Sequence, residues 1–94
     1  MTSRKLERAI EQQCVSYATT RGIQNAKLDK AKRHWPDRVF FCLRAVLLIV
    51  EFKRPGERAR PGQKAVHRKL EALGFRVYVL DNFDDFKRVL DDVL

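Results

Sequence analysis

The chain reads as an α/β domain with a mixed β-sheet flanked by helices, and three observations predict it. Apolar residues recur at helical spacing in three separate stretches. Three short runs rich in β-branched, aromatic and aliphatic residues, preceded by a weaker strand candidate, lie between them. The last of these runs follows a helix, the crossover that a parallel strand pair requires. The predicted order is helix, three strands, helix, strand, helix (α-β-β-β-α-β-α), and 94 residues are enough for one domain, 1–94, with its own core.

Each element has its own warrant. From Ser3 to Arg21, Leu6, Ile10, Cys14, Tyr17 and Ala18 form an apolar stripe, and Gly22 stands where a left-handed cap would end the helix. Ile23 to Asp29 is a candidate short strand, and Ala31 to Trp35 a basic loop. Arg38 to Leu43 and Ala45 to Lys53 are close enough to pair as an antiparallel hairpin. Arg54 to Gly62, with Pro55, Gly56, Pro61 and Gly62, reads as a loop. Gln63 to Leu73 places Val66, Leu70 and Leu73 on one face before Gly74, the pattern of a second helix. Phe75 to Leu80 is nearly all apolar, so it is expected to be a strand buried on both faces beside a parallel neighbour. Asn82 offers a cap, with Asp85 three residues later, for a last helix lined by Phe83, Phe86, Leu90 and Val93.

Composition narrows the function. The longest apolar run, Ala45 to Val50, is far too short to span a bilayer, and Met1 to Arg8 lacks a signal-peptide core. A cytoplasmic setting is the default, with Cys14 and Cys42 as free thiols in a reducing compartment. The net charge is +8, but residues 81–94 hold five acids and two bases, leaving +11 over residues 1–80. Such a surface suits a polyanion, nucleic acid first.

The chemistry concentrates where the apolar run Leu47-Leu48-Ile49-Val50 ends in Glu51-Phe52-Lys53. Strand side chains alternate, so Glu51 and Lys53 emerge on one face and Phe52 on the other. Asp37, after Pro36, stands fourteen residues before Glu51 at the start of the neighbouring strand. Phosphodiester hydrolysis needs a cation on the phosphate, a positioned water and neutralisation of the building charge. Magnesium accepts a few carboxylate oxygens plus waters, so Asp37 and Glu51 are candidate ligands, with Lys53 as the amine that holds the water and offsets charge. Pairing Cys42 with Val46 across a loop of Leu43, Arg44 and Ala45 sets Asp37 directly opposite Glu51. A two-residue loop would turn the acid to the wrong face unless a bulge restored it.

Pro36-Asp37, Glu51-Phe52-Lys53, Gln63 at a helix start and a glutamate in a preceding helix together resemble the PD-(D/E)XK nuclease superfamily. Within it the chain is most similar to the VRR-NUC family, in its small stand-alone phage and bacterial form, from Glu7 to about Leu90. The resemblance implies a restriction-endonuclease-like fold, Asp37 and Glu51 as metal ligands, Lys53 as the catalytic lysine and Gln63 as a residue positioning the phosphate or the lysine. Periodicity agrees on Gln63, which shares the sheet-facing side of its helix with Val66 and Leu70. The resemblance also implies a third metal ligand from the first helix, Glu11, whose spacing before Gly22 resembles archaeal Holliday-junction resolvases of the superfamily, or alternatively Glu7 one turn earlier. His34-Trp35 stands where relatives often carry a small residue, and Trp35 is a candidate base-stacking group.

Two basic clusters flank these motifs: Lys27, Lys30, Lys32 and Arg33 before, and Arg54, Arg58, Arg60 and Lys64 after. If they border one mouth of the sheet, they would grip phosphates without reading sequence. His34 and His67 read as surface or supporting residues, since a zinc site would want closer clusters. The expectation is an Mg²⁺-dependent endodeoxyribonuclease, with Mn²⁺ able to substitute and no nucleotide cofactor. It would cut Holliday-junction or other branched DNA as a homodimer in a bacterial or phage-infected cell. The alternatives are a non-catalytic DNA-binding module of the same fold and a flap-cutting or sequence-preferring nuclease.

Overall fold

In the computed structural model, residues 3–28 and 32–94 are described, with side chains from Leu6 onward. The order is α1 (Ser3–Thr20), β1 (Gln24–Lys27), β2 (Arg38–Phe41), β3 (Leu47–Phe52), α2 (Pro61–Ala72), β4 (Arg76–Leu80) and α3 (Phe83–Val93). All seven predicted elements are present in the predicted order. The part of the first expected strand that falls on Asp29 lies outside the described residues.

Local chemistry sets the boundaries. Gly22 ends α1 at φ +77°, with its N–H on Thr19 O and that of Ile23 on Ala18 O, both at 3.0 Å. Gly74 ends α2 at φ +99°, with Gly74 N–H on Glu71 O and Phe75 N–H on Leu70 O. The start of α2 differs from expectation: Pro61 and Gly62 lie inside it, not in the loop before it. Proline at a first helical position lacks only an N–H that has no partner there anyway. Asn82 caps α3 as its sequence predicts, its side chain accepting from Asp85 N–H at 2.8 Å.

The sheet runs β1-β2-β3-β4, antiparallel except for the parallel pair β3–β4. Its two faces carry different cores. Even-numbered positions of β2 and β3 (Phe40, Leu48, Val50, Phe52) join Cys14 and Ala18 of α1 and Phe86 and Leu90 of α3. The rings of Phe40 and Phe86 lie 4.9 Å apart, and burying each such side chain stabilises the fold by roughly 1.5–3 kcal/mol. Tyr17 links the two helices by donating to Asp91 Oδ1 at 2.6 Å. Odd-numbered Val39 and Ile49 pack with Leu70 under α2, and Trp35, Val66 and Val77 complete this smaller cluster.

One expectation about burial fails. β4 has the parallel neighbour foreseen, but it is an edge strand, and Arg76 and Val79 are exposed rather than buried on both faces. A run of apolar residues reports that a strand is in the sheet; which strands flank it depends on the strand order. Among the described residues no helix is long and apolar enough to cross a membrane. Both cysteines are free thiols, Cys14 buried and Cys42 half-buried.

Candidate active site at the mouth of the sheet

The loop between β2 and β3 has three residues, Leu43 to Ala45, and Cys42 N–H donates to Val46 O at 2.8 Å. The ladder has the even register that the sequence calls for, from Phe41–Leu47 to Arg38–Val50, and Asp37 follows in the bend at its end, beside the strand segment that carries Glu51. Asp37 N–H donates to Val50 O at 3.0 Å. Beyond it Pro36 turns the backbone away, and the Asp37 side chain continues the ladder by accepting Phe52 N–H on Oδ2 at 2.7 Å. The carboxylate is thus buried and held in direction by the strand it faces.

Phe52 points into the α1–α3 core, so Glu51 and Lys53 emerge together toward α2. Both are almost fully buried, at 3% and 5% exposure. Lys53 is anchored by its N–H on Leu80 O at 2.8 Å, the end of the parallel ladder with β4. Its Nζ stands 3.9 Å from Glu51 Oε2 and 4.0 Å from Glu57 Oε1, an ammonium between two carboxylates.

Helix α2 reaches the same group. The Gln63 amide does two things: its oxygen accepts Arg60 N–H at 2.9 Å, securing the helix start, and its nitrogen donates to Glu51 Oε2 at 3.2 Å. The polar helix starter and the site residue are one and the same side chain. One turn later, His67 lies buried with Nε2 at 3.6 Å from Glu51 Oε1. Burial pushes its imidazole below the ordinary value, Glu71 pulls the other way, and Lys53 adds to the lowering. His67 was expected at the surface or in support; the structure places it against Glu51. The signal for it was available, since His67 follows Gln63 by one helical turn on the same side.

Glu11 belongs to another group. It is buried on the α1 side, where Arg38 Nε donates to its Oε2 at 3.0 Å and Lys27 Nζ lies 3.8 Å away. Arg38 also donates to Asn25 Oδ1 at 2.9 Å. Arg38 neighbours Asp37 in sequence and therefore projects to the opposite face. Glu11 lines an open cavity of about 400 Å³ with Arg8, Gln12, Lys27 and Arg38, and its charge together with burial pushes the Cys14 thiol up to about 12, burial contributing most. The structure thus joins Glu51, Lys53 and Gln63 by direct contacts, sets the Asp37 carboxylate on the N–H of Phe52 between Glu51 and Lys53, and engages Glu11 in an ion pair with Arg38. Glu7 is half-buried one turn earlier on α1.

The two basic loops meet at the mouth. His34, at φ +68°, packs its ring against Gly62, where an added Cβ would stand 2.8 Å from ring atoms. Lys32, Arg33, Arg54, Arg58, Arg60 and Lys64 are exposed around this opening, while Lys30 lies outside the described residues. Lys27 is exposed on the edge strand and leans toward Glu11. Trp35 is half-buried against the α2 cluster, with Lys32 Nζ 5.2 Å from its ring centre.

The donor chemistry fits magnesium: two buried carboxylates, Asp37 just before β2 and Glu51 near the end of β3, with water and a phosphate oxygen to complete the shell. Among the described residues no three His, Cys, Asp or Glu side chains converge as an all-protein cage.

No family model matches the chain. The "Putative nuclease p44" of Acyrthosiphon pisum secondary endosymbiont phage 1 is 38% identical over 63 residues, 67% of this chain and 68% of that protein. Among solved structures, a VRR_NUC domain superposes with a TM-score of 0.82 at 21% identity, over 94% of this chain and 97% of the other. By sequence shared with the phage protein and by fold shared with that domain, the chain belongs to the VRR-NUC family.

Proposed function

We propose that this chain is a magnesium-dependent endodeoxyribonuclease that hydrolyses phosphodiester bonds in branched DNA, four-way junctions first, as a homodimer. The observation that supports the reading is the meeting of Glu51, Lys53 and Gln63 at the end of β3, with the Asp37 carboxylate on the N–H of Phe52 between Glu51 and Lys53. The relative's name, a nuclease, and the shared fold support the reaction class.

Asp37 and Glu51 would hold the cation, which when bound polarises the scissile phosphate and lowers the pKa of a bound water. Lys53 would donate to the attacking water and offset the negative charge that builds on the phosphate oxygens as the P–O bond breaks. Gln63 keeps the Glu51 carboxylate from rotating. Asp37 is kept in direction by Phe52 N–H. The basic loops that meet at His34 and Gly62 bind the sugar-phosphate backbone on either side, a contact set that weakens as salt rises. The chain measures 35 Å along its longest axis, about ten base pairs of duplex, and a two-fold pair of sites would match the two strands cut at a junction.

The test is cleavage of a labelled four-way junction in Mg²⁺, with fork, flap and linear duplex as controls, an EDTA arm, and sedimentation of the active species. Junction-dependent cuts that vanish with EDTA and with Asp37→Ala or Lys53→Ala are expected. Intact strands under every condition, with the junction still bound, would mark a DNA-binding module in place of an enzyme.

A further inference from the structure

We propose that His67 is a positioning residue for Glu51: its Nε2–H holds the Oε1 oxygen while Gln63 holds Oε2, so that the carboxylate presents a fixed edge to a divalent cation. The inference rests on the proposed metal-dependent reading of this site and adds a residue to it.

The geometry is specific to this turn of α2. Gln63 and His67 lie four residues apart on one side of the helix, and each addresses a different oxygen of the same carboxylate, at 3.2 Å and 3.6 Å. His67 is 7% exposed, and its buried Nε2 has no hydrogen bond among the described residues. Packing alone does not ask for an imidazole there, because Leu70 and Val66 supply the apolar contacts of α2 with the sheet. Burying a ring nitrogen costs stability unless a partner takes its proton, and among the described residues the group within ion-pair reach of Nε2 is Glu51 Oε1. The 3.6 Å separation is about half an ångström longer than an N–H···O bond, the kind of gap that closes when a site binds its ligand. Each carboxylate oxygen has two lone pairs, so a donor on each leaves room for a cation.

Around the ring stand Glu51 from β3 and Lys53 just after it, Glu71 and Lys64 from α2, Glu57 and Arg58 from the loop, and Asp81 after β4. Lys53 provides charge to this cluster. His67 provides direction, as partners of metal-binding groups commonly do; their loss typically costs 10- to 100-fold in metal affinity.

The experiment is calorimetric titration of Mn²⁺ into the full chain, with no DNA and no turnover. Four proteins are compared: wild type, His67→Leu, His67→Gln and Glu51→Gln. A glutamine places its amide nitrogen near the position of the imidazole Nε2, whereas leucine keeps bulk without a donor. The expected result is a Kd for His67→Leu weakened about 10- to 100-fold, His67→Gln within about threefold of wild type, and no measurable uptake by Glu51→Gln. Should leucine unfold the chain by circular dichroism, His67→Asn, too short to reach Glu51, is the variant that must show the weakening. Wild-type affinity in His67→Leu, or in His67→Asn in its place, overturns the inference and leaves the nuclease reading standing. So does a His67→Gln protein as weak as His67→Leu. A wild type that takes up no Mn²⁺ removes both together.

Discussion

Glu51 and Glu11 are both buried carboxylates, 3% and 9% exposed, yet the fold satisfies them in opposite ways. Glu11 meets a guanidinium at 3.0 Å and has an ammonium at 3.8 Å, so its charge is cancelled where it stands. Glu51 receives its short contact from a neutral amide at 3.2 Å, and its cation, Lys53, stands off at 3.9 Å. A neutral donor fixes the direction of a carboxylate without spending its charge. The contrast separates an acid that ties α1 to the sheet through a charged partner at hydrogen-bond distance from an acid whose hydrogen bond comes from a neutral amide.

The largest expected effects lie on the Glu51 side. Glu51→Gln and Asp37→Asn keep size and hydrogen-bonding capacity, so both proteins should fold, while junction cleavage falls on the order of a thousandfold or more. Paired rate and circular-dichroism measurements check this, and cleavage near the wild-type rate in either variant removes that acid from the site.

Glu11→Gln should behave in reverse. It strands Arg38 beside a neutral amide, and the expected cost is about 2 kcal/mol of stability by urea denaturation, with Mn²⁺ affinity changed less than about threefold. Loss of metal uptake on the scale of Glu51→Gln would make Glu11 a third ligand, the role that the family resemblance assigns it, and the contrast between the two acids would collapse.

Gln63 allows a finer separation, because one amide serves both the helix and the site. Gln63→Ala loses both, with about 1 kcal/mol of stability gone along with roughly tenfold in cleavage. Gln63→Glu keeps an oxygen for Arg60 N–H but sets a second negative charge against Glu51. Its stability should lie nearer to wild type than that of Gln63→Ala, with cleavage still low. A Glu variant that cleaves like wild type would confine Gln63 to capping.

How legible each of these features is in the sequence follows from the range of the interaction behind it. The register of β2 on β3 follows from the turn that Cys42 and Val46 close, which is local, and so it can be read from the residues around that pair. The caps at Gly22, Gly74 and Asn82 are local too. The Glu11–Arg38 bond joins residues 27 apart in sequence, and only the docking of α1 on the sheet makes it. Nothing near Glu11 announces that partner, so helical spacing alone left Glu7 and Glu11 equally placed. Likewise the apolar run of β4 shows a strand, but its place at the sheet edge depends on where β1 and β2 went. Pro61 and Gly62 read as loop formers because the sequence does not reveal that Gln63 will fold back onto Arg60 N–H.

The smallest effect concerns the loop that carries Glu57 and Arg58 beside Lys53. Asp81, at the end of β4, accepts Gly56 N–H on Oδ2 at 2.8 Å and Asn82 Nδ2 on Oδ1 at 2.8 Å. The Gly56 bond first, then the Asn82 bond, holds its carboxyl below the ordinary 3.8. The unfolded chain therefore takes up this proton more readily than the folded one, so the stabilisation is complete above the ordinary value and is lost as pH falls through and below it. Asp81→Asn should lower the urea midpoint slightly at about pH 5 and shrink the further drop between about pH 5 and about pH 3. Nothing comparable should follow on the Glu11 side, whose contacts do not pass through this loop. An equal acid-induced drop in wild type and Asp81→Asn would mean that Asp81 does not pin the loop, and that Glu57 keeps its distance to Lys53 by other contacts.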